Sequence, residues 1–426
     1  GIDLFLEKLV QETEKEHEDI LEQADETDAV FGELYSWYLR NPEYRSRVQK
    51  LVQSAFAGKP EDIISQSVAK ALYGEVSPYS ATRLERFAAC AFAHFLQYGM
   101  KLTERVEYEF KPMDMGNVMH EALESFAEEV RKRGMKWTEL TEQERNEIAD
   151  RCLDNIVADY GNTVLKSSAR NEYMIERTRR ILRRTVWALQ KQLEQGEFQP
   201  EGFEVTFGGG RIDRVDIMED QNKVYVKVID YKTGNTSFDL VYLYHGLQLQ
   251  LMIYLDGALR VEQKKYPDKE IIPAGVFYYN IKDPMIQEKI DADVEAVSAG
   301  LMKELKMNGL VQADPELVYR MDSSLGSIPV AFNKDGSFRK NSSVADRTQF
   351  AVLGRYVRTK IEKIRSSILE GDAEVSPYEL GKKNACTYCP YMTVCGFDRR
   401  LSGYEFRRLK NFSDEELWKA FDREAE

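Results

Sequence analysis

The chain has 426 residues, of which 43% are hydrophobic and 31% are charged, and its formal net charge is −13. This length suggests two or three domains with a sizeable core. No window offers the roughly eighteen uninterrupted apolar residues that a membrane span needs, so no membrane partner is expected. The acidity argues against a protein that coats nucleic acid through bulk charge, although a local groove with a bound metal can still attract phosphate.

The N-terminal part is predicted to be helical. Its first four residues lack the basic start and apolar core of a secretory signal and look like a cut from a longer chain. Apolar residues recur at helical spacing between residues 3 and about 75, first at Leu4, Leu6, Leu9 and Val10 and later at Leu34, Tyr35, Trp37 and Tyr38. Ser77-Pro78 predicts a break, because proline disfavours helix in the preceding residue. We therefore expect one segment at 1–76 and a second domain at 77–426.

A second helical block is predicted from about residue 80 to 197, with interruptions near Lys111-Pro112 and Gly134. One helix of this block has a dense positive face, made by Arg177, Arg179, Arg180, Arg183 and Arg184. Such a run is equally consistent with a solvated surface and with contacts to phosphate groups. Both interpretations stay open from the sequence.

Two strands are predicted between Gly210 and Gly234, and they carry Asp213 and Asp230. Because side chains alternate along a strand, Lys232 projects on the same side as Asp230, and a neighbouring strand can bring Asp213 beside them. Asp216 is the rival for Asp213. It lies three residues further on and therefore faces the other side of an unbulged strand.

Two carboxylates and one ammonium group on a single sheet face can hold a hard cation such as Mg²⁺. They can also orient a water molecule for attack on a phosphodiester. The alternative is a solvated ion pair, since Asp-x-Lys often occurs by chance. However, Asp230 ends an apolar run, and a buried carboxylate is costly unless it is paired or metal-bound. The pattern therefore favours a shared site in a metal-dependent nuclease.

The strands resume after a helical stretch. An amphipathic helix is predicted to include residues 246–254, and a strand is predicted at 274–279. Strand, strand, helix, strand is the start of an α/β unit. Residues 333–343 predict a loop, and a long helix is expected near 350–369. No internal repeat is visible.

The cysteines indicate a metal centre. Three of the five cluster late in the chain, at Cys386, Cys389 and Cys395. Thiolates this close favour a metal over disulfides in an intracellular enzyme. Either Cys90 or Cys152 could supply a fourth ligand. Cys152 shares helical spacing with Ile148 and Ile156, which is typical of a buried helix face and slightly favours Cys90. Spacing alone suits zinc and an iron–sulfur cluster equally.

With these residues together, the chain resembles the C-terminal nuclease domain of the AddB subunit of bacterial AddAB helicase–nucleases, in the RecB-like branch of the PD-(D/E)xK nucleases. The resemblance covers about residues 77–400 and follows the family's motif order. It rests on residues 80–85, Cys90, residues 114–120, 210–213 and 230–232, the Gln250-x3-Tyr254 motif and the three late cysteines. It implies an α/β fold with a restriction-endonuclease-like central mixed sheet flanked by helices, a large helical N-terminal portion and an iron–sulfur staple.

The resemblance also implies roles for the site residues. His120, presented by a helix after a glycine, is expected to bind Mg²⁺ together with Asp213 and Asp230. Without the family, a capping or core histidine would be the better interpretation of His120. The backbone carbonyl of Tyr231 is a further expected ligand. Lys232 is expected to be the catalytic lysine that orients or helps deprotonate the attacking water.

The remaining motifs imply cofactors and partners. Gln250 and Tyr254 match a QxxxY motif that positions DNA, and Cys90 with the three late cysteines is expected to bind a [4Fe–4S] cluster. The implied function is a cytoplasmic exonuclease domain that cuts the 5′-terminated single strand at double-strand ends unwound for recombinational repair. Its partner would be an AddA-type subunit, and residues 1–76 would lead from a helicase-like region. The alternatives are a stand-alone exonuclease of the CRISPR-adaptation type and a non-catalytic DNA-binding module.

Two departures from the family pattern stand out. The sequence Gly208-Gly209-Gly210 leads directly into the Asp213 strand, where a longer connection is expected. Ala91 follows Cys90 where the family often has proline.

Overall fold

A six-stranded mixed sheet lies at the centre of the computed structural model, which describes residues 26–55, 63–74, 79–103, 112–159, 168–208, 210–286, 293–401 and 403–425. In sheet order the strands are β1 (Gln199–Phe207), β2 (Gly210–Asp220), β3 (Lys223–Lys232), β4 (Glu270–Asn280), β5 (Asn308–Gln312) and β6 (Val344–Ala345). The pairs β3–β4 and β5–β6 are parallel, and the other three pairs are antiparallel. The expected central mixed sheet is confirmed.

Helices cover both faces of this sheet. Those before it are α1 (Glu26–Arg40), α2 (Pro42–Ala55), α3 (Gln66–Tyr73), α4 (Ala81–Ala89), α5 (Ala91–His94), α6 (Pro112–Lys132), α7 (Glu142–Asp159) and α8 (Ala169–Glu194). Those after β3 are α9 (Leu240–Tyr244), α10 (Gln250–Lys265), α11 (Val294–Glu304), α12 (Pro315–Met321), α13 (Arg347–Glu370), α14 (Met392–Cys395) and α15 (Asp414–Ala425). A small second sheet joins β7 (Tyr378–Leu380) to β8 (Lys383–Asn384) and β9 (Arg407–Arg408). Among the described helices, none combines the length and apolarity needed to cross a bilayer.

Strand β3 shows how the sheet separates two cores. Tyr225 and Ile229 point into the core on one side, which α6, α7 and α8 complete. Val226 and Val228 point into the core on the other side, which α4, α10, α13 and α15 complete. Because both faces are covered, the strand reads as a nearly continuous apolar run. Charged side chains on it therefore need partners.

The N-terminal prediction is confirmed for the residues that the structure describes. Helices α1, α2 and α3 occupy much of residues 26–73, whereas the apolar positions from Leu4 to Val10 and the break at Ser77-Pro78 lie outside the described residues. Helix α3 packs against α13 and the π-helical turn Phe95–Gly99. The boundary between 76 and 77 stays a prediction.

Three helix predictions can be compared directly with the structure. Helix α6 begins at Pro112 and ends just before Gly134, as expected, and α13 spans the predicted late helix. The helix predicted across residues 246–254 is wrong in its first part. Helix α9 ends at Tyr244, Gly246 has a left-handed φ of 78°, and the next helix begins only at Gln250. Glycine adopts this conformation without steric cost, and so it separates two helices here.

Three arginines on the arginine-rich face of α8 form ion pairs with other segments of the chain. Arg179 lies 2.7 Å from Asp154, and Arg183 forms an ion pair with Asp150; both acids are on α7. Arg180 lies 2.6 Å from Asp283. These ion pairs match three of the five arginines with carboxylates of the same chain, while Arg180 and Arg183 stay largely exposed, so the two interpretations drawn from the sequence remain open.

Two adjacent strands, β2 and β3, bury a second group of charges. The Arg214 guanidinium donates to Asp216 over 2.6 and 2.9 Å, and Lys227 Nζ lies 2.9 Å from the same carboxylate. Although burial raises the pKa of Asp216, the two cations lower it below its ordinary value. Asp216 is therefore committed to this triad, on the sheet face opposite to Asp213, as the strand alternation predicted.

Replacing Asp216 with asparagine is expected to lower the free energy of unfolding by about 3–5 kcal/mol, because two buried cations lose their counter-charge. Urea unfolding measures this loss. The matched control is Asp256→Asn, which disturbs exposed pairs with Arg260 and Arg358 and should cost less than about 1 kcal/mol. Equal losses in the two variants would contradict a structural role for the buried triad.

Candidate active site

The register of β2 and β3 brings two acids together. Arg214 pairs with Ile229, and so the adjacent residues, Asp213 and Asp230, lie opposite each other across the antiparallel strands. Both side chains are buried. Asp213 Oδ2 accepts a hydrogen bond of 2.7 Å from the backbone N–H of Tyr231. The sequence-predicted juxtaposition of the two aspartates is therefore present.

His120 reaches this pair from helix α6, far upstream in the chain. Its Nδ1 lies 3.3 Å from Asp213 Oδ2. One turn earlier on the helix, a Cβ at Gly116 would lie 3.3 Å from Thr233 Oγ1, so glycine permits a close approach to the turn after β3. The structure thus brings His120 beside Asp213, as the resemblance implied, while Asp230 lies across from Asp213 on β3 and its Oδ2 contacts Lys232.

Glu204 is a fourth member of this group that the sequence analysis missed. Its Oε1 lies 3.9 Å from His120 Nδ1, and its Oε2 lies 2.5 Å from Arg211 Nε. Ligand atoms of His120, Glu204 and Asp213 all lie within 4.8 Å of one another. The signal available was the position of Glu204 on the strand before β2, since the antiparallel register places it across from Asp213. The departure noted at Gly208-Gly209-Gly210 includes Gly209, which lies outside the described residues.

The backbone of Glu204 has a φ of 49°, in the left-handed region that a residue with a Cβ rarely adopts. Such conformations cost on the order of 1–3 kcal/mol and persist where the surrounding structure enforces them. This carboxylate is 7% exposed and faces the histidine. The strained backbone directs an acid into the site instead of toward solvent.

Burial and crowding shift the titration of these groups. Burial and the neighbouring Asp230 raise the pKa of Asp213 to about 7. Burial also raises the pKa of Asp230, although Lys232 opposes the shift. For His120, burial lowers the pKa, but the nearby carboxylates of Glu204, Asp213 and Asp230 outweigh it and raise the pKa above the ordinary value.

The donor set fits a divalent cation. One imidazole nitrogen and several carboxylate oxygens converge, and their mutual repulsion is relieved only by protons or by a positive ion. Oxygen ligands with a single imidazole suit Mg²⁺ or Mn²⁺. The arrangement can hold such an ion beside Lys232.

Lys232 is held in place by two contacts. Its ammonium group lies 2.7 Å from Asp230 Oδ2 and donates a 2.6 Å hydrogen bond to Gln250 Oε1. Gln250 Nε2 in turn donates to the hydroxyl of Tyr254 over 2.8 Å, one helical turn later on α10. The two residues of the QxxxY motif therefore belong to the same network as the lysine.

Four cysteines line one largely apolar cavity, namely Cys90, Cys386, Cys389 and Cys395. Cys90 was expected within a helix, but it is an extended residue between α4 and α5 with a φ of −167°. Burial and then the charges of the other three thiols raise the pKa of Cys386 to about 12. Thiolates crowded in this way need a cation to stay ionised, so the donor set fits a metal centre. Cys152 instead packs in the core beside α6 and α8, with Ile148 and Ile156.

Comparisons with known proteins agree with this geometry. The family model described as the PD-(D/E)XK nuclease superfamily matches residues 78–396. The B subunit of an ATP-dependent helicase/deoxyribonuclease from Lachnoclostridium phytofermentans is 41% identical over 94% of this chain and 36% of its own length. Proteins of the same name from Thermoanaerobacter sp. and Alkaliphilus metalliredigens are each 34% identical, over 94% and 93% of this chain and 37% of their own lengths. The chain spans little more than a third of the length of these relatives.

Divalent cations are expected to raise the melting temperature, because ion binding relieves the repulsion among buried acids. A free ion concentration of 100 Kd contributes about 2.7 kcal/mol. The affinity should fall by up to about tenfold per pH unit below pH 7, since the Asp213 carboxyl, with a pKa of about 7, then takes up a proton that competes with the ion. Thermal unfolding with Mg²⁺ or Mn²⁺ at pH 6 and pH 8 measures both effects. Asp213→Asn should lose the shift, whereas Glu128→Gln, on the surface of α6, should keep it.

Proposed function

The chain belongs to the PD-(D/E)XK nuclease superfamily, and from this premise we propose that it is the Mg²⁺-dependent deoxyribonuclease part of a helicase–nuclease. The observation that carries the proposal is the convergence of His120, Asp213 and Asp230 beside Lys232. The names of the relatives support DNA as the substrate and a helicase-containing assembly as the context.

The finer proposal concerns the substrate and the setting. The domain at 77–426 would act as an exonuclease on the single strands released from an unwound duplex end and cut the 5′-terminated strand. Residues 1–76 would connect it to a helicase-like region, and an AddA-type subunit would be the partner. A cytoplasmic location is proposed because clustered cysteines that bind a metal instead of forming disulfides are typical of a reducing compartment.

The residues of the site have different roles in this proposal. His120, Asp213, Asp230 and the carbonyl of Tyr231 would hold the ion, and Glu204 is a further ligand within reach. When bound, Mg²⁺ supplies Lewis acidity toward a phosphate oxygen and lowers the pKa of a water ligand. Lys232 carries a positive charge next to the reacting phosphate and stabilises the negative charge that develops there. Because Asp230 and Gln250 already hold Lys232, little reorganisation is needed when the substrate arrives.

The cysteine centre has a structural role in this proposal. Cys90 and the three late cysteines would hold a [4Fe–4S] cluster, which supplies a four-point cross-link. The cross-link joins the segment after β8 to the junction of α4 and α5. Residues far apart in the chain would thus be tied together next to the nuclease sheet.

Changing Asp230 to asparagine should reduce Mg²⁺-dependent cleavage of end-labelled single-stranded DNA by roughly 10²-fold or more, because the ion loses a ligand and Lys232 loses its partner. Substrates labelled at either end report the strand polarity. Circular dichroism and iron content should not change. The control is Asp220→Asn, at the far end of β2, which should cleave at the wild-type rate. Undiminished cleavage by the Asp230 variant would show that the site has been assigned wrongly.

Changing Cys90 to alanine should remove the cluster, while Cys152→Ala should retain it, because only Cys90 lines the shared cavity with the late cysteines. Protein purified without oxygen would be analysed for iron, sulfide and zinc and by visible absorbance. Stoichiometric zinc without iron would overturn the cluster assignment. Loss of metal in the Cys152 variant alone would overturn the choice of ligand.

A further inference from the structure

We propose that Glu85 is a positioning residue of the nuclease site, which fixes the start of α10 and, through Gln250, the place of Lys232. The inference rests on the proposed function, because it assigns Glu85 a part in the same reaction. Glu85 lies on α4, outside the cation-binding group and the QxxxY motif.

The first observation is a pair of long-range hydrogen bonds. Glu85 Oε1 accepts from the backbone N–H groups of Leu249 and Gln250, over 2.7 and 2.9 Å. These partners are 164 and 165 residues away in the chain. A carboxylate that accepts two backbone N–H groups at a helix start restrains the position of that start.

The second observation is the state of the helix start itself. Helix α10 begins after Leu249, whose side chain makes no capping hydrogen bond within the described part of the chain. The first N–H groups of a helix have no partners inside the helix, and an apolar residue cannot supply one. Glu85 therefore caps α10 from a different element, and its charge interacts favourably with the positive end of the helix dipole.

The third observation is that a single residue links this cap to the lysine. Gln250 offers its backbone N–H to Glu85 and its side-chain oxygen to Lys232, while its side-chain nitrogen donates to Tyr254. A shift of the first turn of α10 would move the Gln250 amide. Lys232 would then keep its contacts with Asp230 and the Tyr278 ring but lose the hydrogen bond to Gln250 that sets its direction.

The electrostatic surroundings agree with this role. Burial raises the pKa of Glu85 to about 7, and the two backbone hydrogen bonds and Lys232 oppose the shift. The carboxylate is thus kept in a desolvated place where its negative charge interacts with the lysine of the site. The same helix ends at Ala89, directly before Cys90, so the cap sits on an element next to the cysteine cavity.

The test is a double-mutant cycle on the whole chain, with Glu85→Gln, Gln250→Ala and the double variant. Glu85→Gln keeps the shape but loses the charge, and it should lower kcat for single-stranded DNA with Mg²⁺ about tenfold. KM and the melting temperature should stay near the wild-type values. Because Glu85 acts through Gln250, the double variant should be no slower than Gln250→Ala. Amide exchange at residues 249 and 250 should become faster in Glu85→Gln.

The matched control is Asp346→Asn. Asp346 caps α13 by accepting from the Gln349 N–H over 2.8 Å, in the same kind of contact but outside the active-site network. It should leave kcat unchanged. Two results would overturn the positioning role: multiplicative effects of the two substitutions on kcat, or an unchanged kcat in Glu85→Gln. In either case, cleavage by the wild-type chain would still uphold the nuclease assignment. A wild-type chain that does not cleave would overturn both.

Discussion

Mutual repulsion among buried carboxylates is the constraint around which this protein is organised. Asp213 and Asp230 face each other because β2 and β3 pair in one register, and Glu204 is directed at the same point by a left-handed backbone. Each acid would be more stable apart from the others and in water. The sheet holds them together, and His120 and Lys232 compensate part of the charge. A bound cation would offset the remaining electrostatic repulsion among these carboxylates.

On their other face, the same two strands carry an acid whose charge is neutralised by neighbouring cations. There Asp216 is enclosed by Arg214 and Lys227, and the charges are matched within the protein. Tyr231 connects the two faces, because its backbone N–H donates a hydrogen bond to Asp213 while its side chain lies near Arg214. On one face of the strand pair the charges are therefore paired within the protein and serve the structure. The other face retains excess negative charge beside the ammonium group of Lys232. That difference distinguishes a site from a core ion pair.

Long-range contacts complete the site. Helix α6 delivers His120, α10 delivers Gln250, and α4 caps α10 through Glu85 and ends directly before Cys90. The late cysteines meet Cys90 in one cavity. None of these elements is adjacent to β3 in the sequence. The site and the neighbouring cysteine cavity are therefore built from segments distributed over most of the described chain.

Local periodicity was enough to predict that Asp230 and Lys232 share a face, that Asp216 turns away from Asp213 and that Cys152 belongs to a buried helix face, because each statement concerns residues within one element. The family resemblance added His120 and Cys90, which no local pattern could assign. The strands β5 and β6, the pairing of the α8 arginines, the strained Glu204 and the cap from Glu85 were decided only by tertiary structure. They depend on which distant segments pack together and on how strongly burial destabilises unpaired polar groups, and one-dimensional spacing contains neither.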